Sequence, residues 1–243
     1  MKAKTHSRDK GDLQKALRHP KLIWLWINGC KSAEISKRHV GIHLRDVDKI
    51  KFDESEIDPI ELVRKAIDLC SRACNHAQYL YFVCRGTKPS KVVETGVHYG
   101  VTSAYFLKGL QKSGGWLYSI DLPNIRYQRE NGMLHQDDLP SGFEPGFVVP
   151  ESLRDHWKLV LGDSREKLPE LLQSLTMIDL FHHDSMHTYD LMMFEFETAW
   201  PYIRKDGLLL ADDADWNSAF MDFCHRHSID GTINRGVGIA RKR

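Results

Sequence analysis

Val92-Val93-Glu94-Thr95-Gly96-Val97-His98-Tyr99-Gly100-Val101-Thr102-Ser103 reads as the end of a buried strand, a glycine turn and the start of a helix. The apolar run continues through Tyr105, Phe106, Leu107 and Leu110. In such a unit the glycines let backbone come close to a ligand, and the helix N-terminus offers unpaired N–H groups. The spacing is Glu-x-Gly-x-x-x-Gly; the dinucleotide fingerprint G-x-G-x-x-G is absent. An ordinary strand–helix turn with incidental glycines can carry the same letters, so the flanking sequence has to decide.

Upstream, Asp58 as N-cap and Pro59 at the first helical position open a helix. Its stripe of Ile60, Val63, Ile67, Cys70, Cys74, Ala77 and Leu80 runs to about Cys84, where Gly86 is expected to end it. Downstream, a helix over 102–112 stops at Gly114-Gly115, and Trp116 to Ile120 forms a second strand ending in Asp121. Trp157 to Leu161 forms a third strand, followed by Gly162-Asp163-Ser164 and a helix over 165–174. Met177 to Phe181 forms a fourth, running into His182-His183-Asp184, with a helix over 188–203. After a turn at Lys205-Asp206-Gly207, the wholly apolar Leu208 to Ala211 forms a fifth, ending in Asp212-Asp213. A helix over 216–227, a turn at 231–234 and a last strand at Val237 to Ala240 complete the pattern. Strands alternating with helices at this spacing predict an α/β fold, doubly wound, with helices on both faces of a mostly parallel sheet.

The remaining segments are less periodic. Residues 1–85 read as an N-terminal helical extension and 86–243 as the main domain. Residues 122–155 are rich in proline and glycine and long enough to be a lid. Trp24 and Trp26 suggest a packed contact within the chain or between copies.

Composition narrows the class. The chain has 243 residues, 42% hydrophobic and 28% charged, with a formal net charge of +1, as expected of a soluble globular protein. That balance gives no electrostatic case for nucleic acid as a partner. Five cysteines without a C-x-x-C pair point to reduced thiols and a cytoplasmic setting. The apolar run Leu22 to Ile27 is too short to span a bilayer, so no membrane partner is expected.

In open α/β sheets ligands bind beyond the carboxyl ends of the strands. Glu94 and Gly96, Asp121, Asp163, Asp184, and Asp212 with Asp213 all fall at such ends, and that clustering marks an active site. An acid about 20 residues beyond the glycine turn binds ribose hydroxyls in these folds, and Asp121 lies 21 residues after Gly100. If the fourth and fifth strands are neighbours, Asp184, Asp212 and Asp213 converge. Carboxylates that close repel unless a cation binds or protons are retained. Their oxygens suit Mg²⁺, with Mn²⁺ or Ca²⁺ as alternatives; helix capping by one of the pair is the structural alternative. His187, three residues past Asp184, is placed to act as general base.

Taken together, Glu94-x-Gly96-x-x-x-Gly100, Gly162-Asp163-Ser164, Asp184-Ser185-Met186-His187 and Leu209 to Asp213 resemble the metal-dependent class I S-adenosylmethionine (SAM) O-methyltransferases. The resemblance is to the bacterial branch acting on sugars and natural products, with catechol methyltransferase more distant. It covers roughly residues 75–243 and implies a Rossmann-like, seven-stranded sheet with an antiparallel last strand. It implies that Glu94, Gly96, His98, Gly100 and Thr102 hold the methionine end of SAM, with Asp121 at the ribose and Asp163 and Ser164 on the adenine side. By the same resemblance Asp184, Asp212 and Asp213 bind the metal, His187 is the base, and the acceptor is a small-molecule hydroxyl. Two readings from other classes stand beside it: a non-catalytic SAM- or nucleotide-binding module, and a two-His-one-carboxylate iron site using His182 and Asp184.

Overall fold

The computed structural model describes residues 33–52, 58–70, 76–123, 139 and 143–243. The tryptophans at 24 and 26, Cys30, Cys74 and most of the expected lid lie outside the described residues. The described elements are α1 (Ala33–Val47), α2 (Pro59–Cys70), α3 (Tyr79–Thr87), β1 (Lys91–Thr95), α4 (Val101–Leu110), β2 (Trp116–Asp121) and β3 (Trp157–Leu161). They continue with α5 (Ser164–Leu175), β4 (Ile178–His183), α6 (Tyr189–Ala199), β5 (Ile203–Ala211), α7 (Ala219–Arg226), β6 (Thr232–Asn234) and β7 (Val237–Arg241).

The strands form one seven-stranded sheet in the order β3-β2-β1-β4-β5-β7-β6. β1 to β5 are parallel, while β7 runs antiparallel between β5 and β6. The order reverses between β1 and β4, and a crevice opens at such a switch point in this class of sheet. This is a Rossmann-like, seven-stranded architecture with an antiparallel last strand. Because strand side chains alternate, each strand feeds two cores. Val92, Leu117, Leu180, Leu208, Leu210 and Ile239 meet the first four helices on one face. Val93, Ile120, Phe181, Leu209 and Ala240 meet α5, α6 and α7 on the other. Strands buried on both faces read as continuous apolar runs, which is how Leu208 to Ala211 reads.

Several local expectations change. The single helix read from Asp58 to Cys84 is two, α2 and α3, with a short 3₁₀ turn at His76–Gln78 before α3. Asp58 does cap α2, its Oδ1 accepting from the Ile60 N–H at 2.9 Å. Gly86 lies inside α3, where a Cβ would run into the Leu62 side chain; Lys88, left-handed at φ 47°, ends that helix instead. The supposed turn at Lys205-Asp206-Gly207 is a bulge within a nine-residue β5: between two paired positions β4 advances two residues and β5 five. Residues 232–234, read as turn, are the edge strand β6.

The N-terminal helices are not a separate cap. Val40, Leu44, Leu62, Val63 and Ile67 share one continuous core with Val92, Leu180 and Ile239. Residues 146–149, the far part of the expected lid, pack onto the glycine turn. Gly146 N–H donates to the His98 carbonyl (2.8 Å) and Val148 N–H to that of Tyr99 (3.1 Å). Phe147, Val148 and Val149 are buried. Arg154 holds the segment from behind, donating to the carbonyls of Gly146 (2.9 Å) and Val149 (3.2 Å). Among the described residues, no helix is long and apolar enough to cross a membrane.

Candidate active site

The sheet ladder runs on past the strand ends and levels them. Gly96 N–H donates to the Ile120 carbonyl (2.9 Å), Asp184 N–H to Thr95 (2.8 Å), Asp212 N–H to His183 (2.8 Å) and Gly162 N–H to Asp121 (2.8 Å). Gly96, Asp121, Asp163, Asp184 and the Asp212-Asp213 pair therefore lie along one rim, with Glu94 buried beneath it. The two turn glycines are required for a reason different from the expected one. Gly96 has φ +85° and a Cβ there would run into the Asp184 carbonyl; at Gly100, φ +94°, it would stand 2.6 Å from Gly146 Cα. The clearance is taken up by the protein's own backbone.

Glu94 is fully buried below this turn. Its Oε1 accepts the hydroxyls of Ser103 and Ser119 (the latter at 2.6 Å). Ser119 Oγ in turn accepts Trp157 Nε1–H at 2.7 Å. Glu94 Oε2 is buried without a hydrogen-bond partner. Burial pushes the carboxyl up to about 7, Ser103 and Ser119 oppose the shift, and the charge on Asp121 adds to it.

The other expected cofactor residues make bonds within the protein. Asp121 pins the glycine turn, Oδ2 accepting from the N–H of Val97 (2.9 Å) and His98 (2.7 Å), and Oδ1 accepting from that of Leu122 (2.7 Å). His98 is exposed, with its ring stacked on Tyr99 at 4.3 Å. Thr102 Oγ1 donates to Asp184 Oδ2 at 3.1 Å. Asp163 caps α5 through the Arg165 N–H at 2.8 Å. Ser164, at the start of α5, helps to lower the pKa of the Glu195 carboxyl on α6. An ionised carboxylate can accept at both oxygens, with about four lone-pair sites in all, so capping α5 leaves Asp163 with acceptor capacity.

β4 and β5 are adjacent, with His183 paired to Ala211, so Asp184 and Asp212 are neighbours. Burial raises the Asp184 carboxyl well above the ordinary range, Asp212 raises it further, and the Thr102 hydroxyl only partly offsets this. His187 Nε2 lies 4.0 Å from Asp184 Oδ1 and 3.8 Å from Asp213 Oδ2. Burial, followed by His183, lowers the His187 pKa below its ordinary value despite the nearby acids. Its Nδ1 is buried without a hydrogen-bond partner. The Trp216 indole, 60% exposed, lies 5.1 Å from the His187 ring. Its loop is fixed: Asn217 Nδ2 donates to the His187 carbonyl at 3.2 Å.

Among the described residues, no three His, Cys, Asp or Glu side chains stand in metal-ligand geometry. The acids border one spot without forming a closed ligand set. His182 lies beside the Tyr79 hydroxyl, 3.3 Å from its Nε2, and under the Phe106 ring, in the core rather than at the rim.

Residue-by-residue reading missed the buried polar groups behind the rim: Thr95, Ser103, Ser119, Tyr79 and above all Glu195. The signal for Glu195 was available. It interrupts the α6 stripe of Leu191, Met192, Phe196 and Ala199, all buried, and a carboxylate at an inward helical position needs partners. Two clefts lie elsewhere: about 390 Å³ among Asp58, Arg64, Asp230 and Thr232, and about 220 Å³ at Pro59, Gly86, Asp179 and Asp206. Neither touches the rim acids.

Residues 93–214, half of the chain, match a family model described as a methyltransferase domain. No curated protein matches the chain. Among solved structures, the SAH-bound Podospora anserina methyltransferase PaMTH1 is similar at 13% identity, TM-score 0.50, covering 76% of this chain and 88% of that one. The O-methyltransferase NovP is similar at 16% identity, TM-score 0.50, covering 68% of this chain and 77% of that one. At these identities the likeness is one of fold.

Proposed function

Since this chain belongs to the methyltransferase-domain family, we propose that it is a SAM-dependent O-methyltransferase acting on a hydroxyl of a small molecule. In this reading Asp184, Asp212 and Asp213 hold a divalent ion, Mg²⁺ first, and His187 is the base. One observation carries it: two acids on adjoining strand ends, with Asp184 raised by burial and by Asp212, stand beside a histidine at the switch point. That site asks for positive charge, and a hard cation with oxygen ligands answers the need. The donor chemistry of these three carboxylates fits. Glu94 Oε2, buried and unpartnered under the glycine turn, fits the ammonium group of a methionine moiety. The names of similar structures, an O-methyltransferase and a SAH-bound methyltransferase, agree with this reading.

SAM carries an electrophilic methyl on its sulfonium, so no covalent enzyme intermediate is needed. A bound divalent ion lowers the pKa of an acceptor hydroxyl. The chain's own residues do the rest. Glu94 and the glycine turn orient the donor, and Trp216 offers a flat face for the acceptor beside His187. His187 Nε2 takes the acceptor proton as the O–CH₃ bond forms and the S–CH₃ bond breaks, leaving SAH and a methyl ether. In-line positioning is the main catalytic contribution. The buried free thiols of Cys70, Cys84 and Cys224 support a cytoplasmic setting.

The test is transfer of labelled methyl from SAM to a panel of sugar, phenolic and catechol hydroxyls. Asp184→Ala is expected to abolish transfer while SAH affinity falls less, and EDTA is expected to stop the unaltered enzyme. Full turnover in EDTA removes the metal from the scheme; no transfer to any hydroxyl removes O-methylation.

A further inference from the structure

Behind the rim, on the face opposite Glu94, the carboxylate of Glu195 is fully buried. It gathers partners from two strand ends. Oε2 accepts Thr95 Oγ1–H at 2.5 Å from the end of β1 and lies 2.6 Å from His183 Nδ1 at the end of β4. Oε1 accepts Ser185 Oγ–H at 3.0 Å. Burial alone would raise this carboxyl, but His183 above all, with Thr95, holds it below its ordinary value. A buried charge is costly, and an apolar residue of similar volume is often as stabilising or more so. Here that cost falls directly behind the proposed catalytic rim.

We infer that Glu195 is a positioning residue that clamps both neighbours of Asp184 and thereby fixes the direction of the Asp184 carboxylate. His183 ends β4 and Ser185 lies in the bend just beyond it, and both side chains reach the one carboxylate, while Asp184 between them bonds Thr102. With His183 and Ser185 tied to one carboxylate, the end of β4 can neither twist nor slip, and Asp184 is held toward Thr102. Thr95 adds a third grip, next to Gly96, where the absence of a Cβ admits the Asp184 carbonyl. The clamp extends to His187. An ionised Glu195 can only accept, so His183 carries its proton on Nδ1, and its ring meets that of His187 edge-on at 5.3 Å and 87°.

This inference rests on the reading of Asp184 as a metal-binding acid, and the experiment separates the two. The full chain and its variants are titrated with Mn²⁺, free ion being read by electron paramagnetic resonance, and with SAH by calorimetry. Glu195→Gln is expected to weaken Mn²⁺ binding at least tenfold and to leave the SAH Kd within about twofold. Phe223→Leu, a buried change in α7 away from the clamp, serves as the stability control; it is expected to lower the melting temperature and leave Mn²⁺ affinity unmoved. If Glu195→Gln does not fold, Ser185→Ala removes one grip and is expected to weaken Mn²⁺ several-fold. Unchanged Mn²⁺ affinity in the folded clamp variant, or a loss no larger than that of Phe223→Leu, overturns the inference while Asp184→Ala still abolishes binding. If the unaltered chain binds no Mn²⁺, or Asp184→Ala binds it normally, the metal reading falls and the clamp with it.

Discussion

Replacing Glu94 with glutamine removes a buried carboxyl without changing its shape, and the consequence depends on pH. The folded protein raises this group from 4.5 to about 7, so the native state holds the proton more tightly than the unfolded chain. Stability from this group is therefore complete below pH about 4.5 and is lost as pH rises through about 7. At about 1.4 kcal/mol per unit, the difference between the two values amounts to about 3 kcal/mol. Glutamine stays neutral throughout. Relative to Glu94→Gln, the parent chain should lose about 3 kcal/mol between pH 4.5 and pH 8, a sizeable share of a typical ~5–15 kcal/mol total. Urea unfolding at half-unit pH steps, followed by tryptophan fluorescence, gives the gap directly. A gap that stays constant across this range, or narrows in the opposite sense, refutes the reasoning. A linked effect is expected in binding. If Glu94 Oε2 receives the ammonium group of SAH, parent affinity should fall up to about tenfold per pH unit below 7, and the Glu94→Gln variant should lack that slope.

Two further changes test the rim. Gly96→Ala must accept φ +85° and a clash with the Asp184 carbonyl; backbone strain and overpacking each cost about 1–3 kcal/mol, so urea unfolding should show a loss of several kcal/mol. Trp216→Ala, at an exposed position, should leave the melting temperature within a degree or two while kcat/KM for an aromatic hydroxyl acceptor falls about tenfold, with KM for SAM unchanged in a steady-state assay.

The main frame of the fold was legible because β1, β4 and β5 are buried on both faces and their polar ends stand out against apolar runs. The Asp184 and Asp212 pairing followed once β4 and β5 proved adjacent. Other features depend on tertiary contacts that leave no local trace. Arg204, Lys205 and Asp206 have turn chemistry, and Asp206 does adopt φ 65°. They are held in a strand because Lys242, just beyond β7, bonds there: Asp206 N–H donates to the Lys242 carbonyl (2.7 Å) and Lys242 N–H to that of Gly207 (3.0 Å). Helix α1 has no clear sequence signal, and its Val40, Leu44 and Val47 are buried by packing into the core of the domain. The resemblance points Thr102 and Asp121 toward a cofactor, but local sequence does not show that their side chains turn to Asp184 and to the turn backbone.

The place of β7 bears on how the molecule is made. It is the last of the seven strands to leave the ribosome, yet it is inserted between β5 and β6. Until it arrives, the backbone of Leu208 to Ala211 has no partner on that side, and a bare apolar strand border of this kind recruits other chains. The nascent protein thus carries an adhesive seam from the completion of β5 until β7 emerges. Slow translation or scarce chaperones should drive it into inclusion bodies before any fault in the mature protein could be measured.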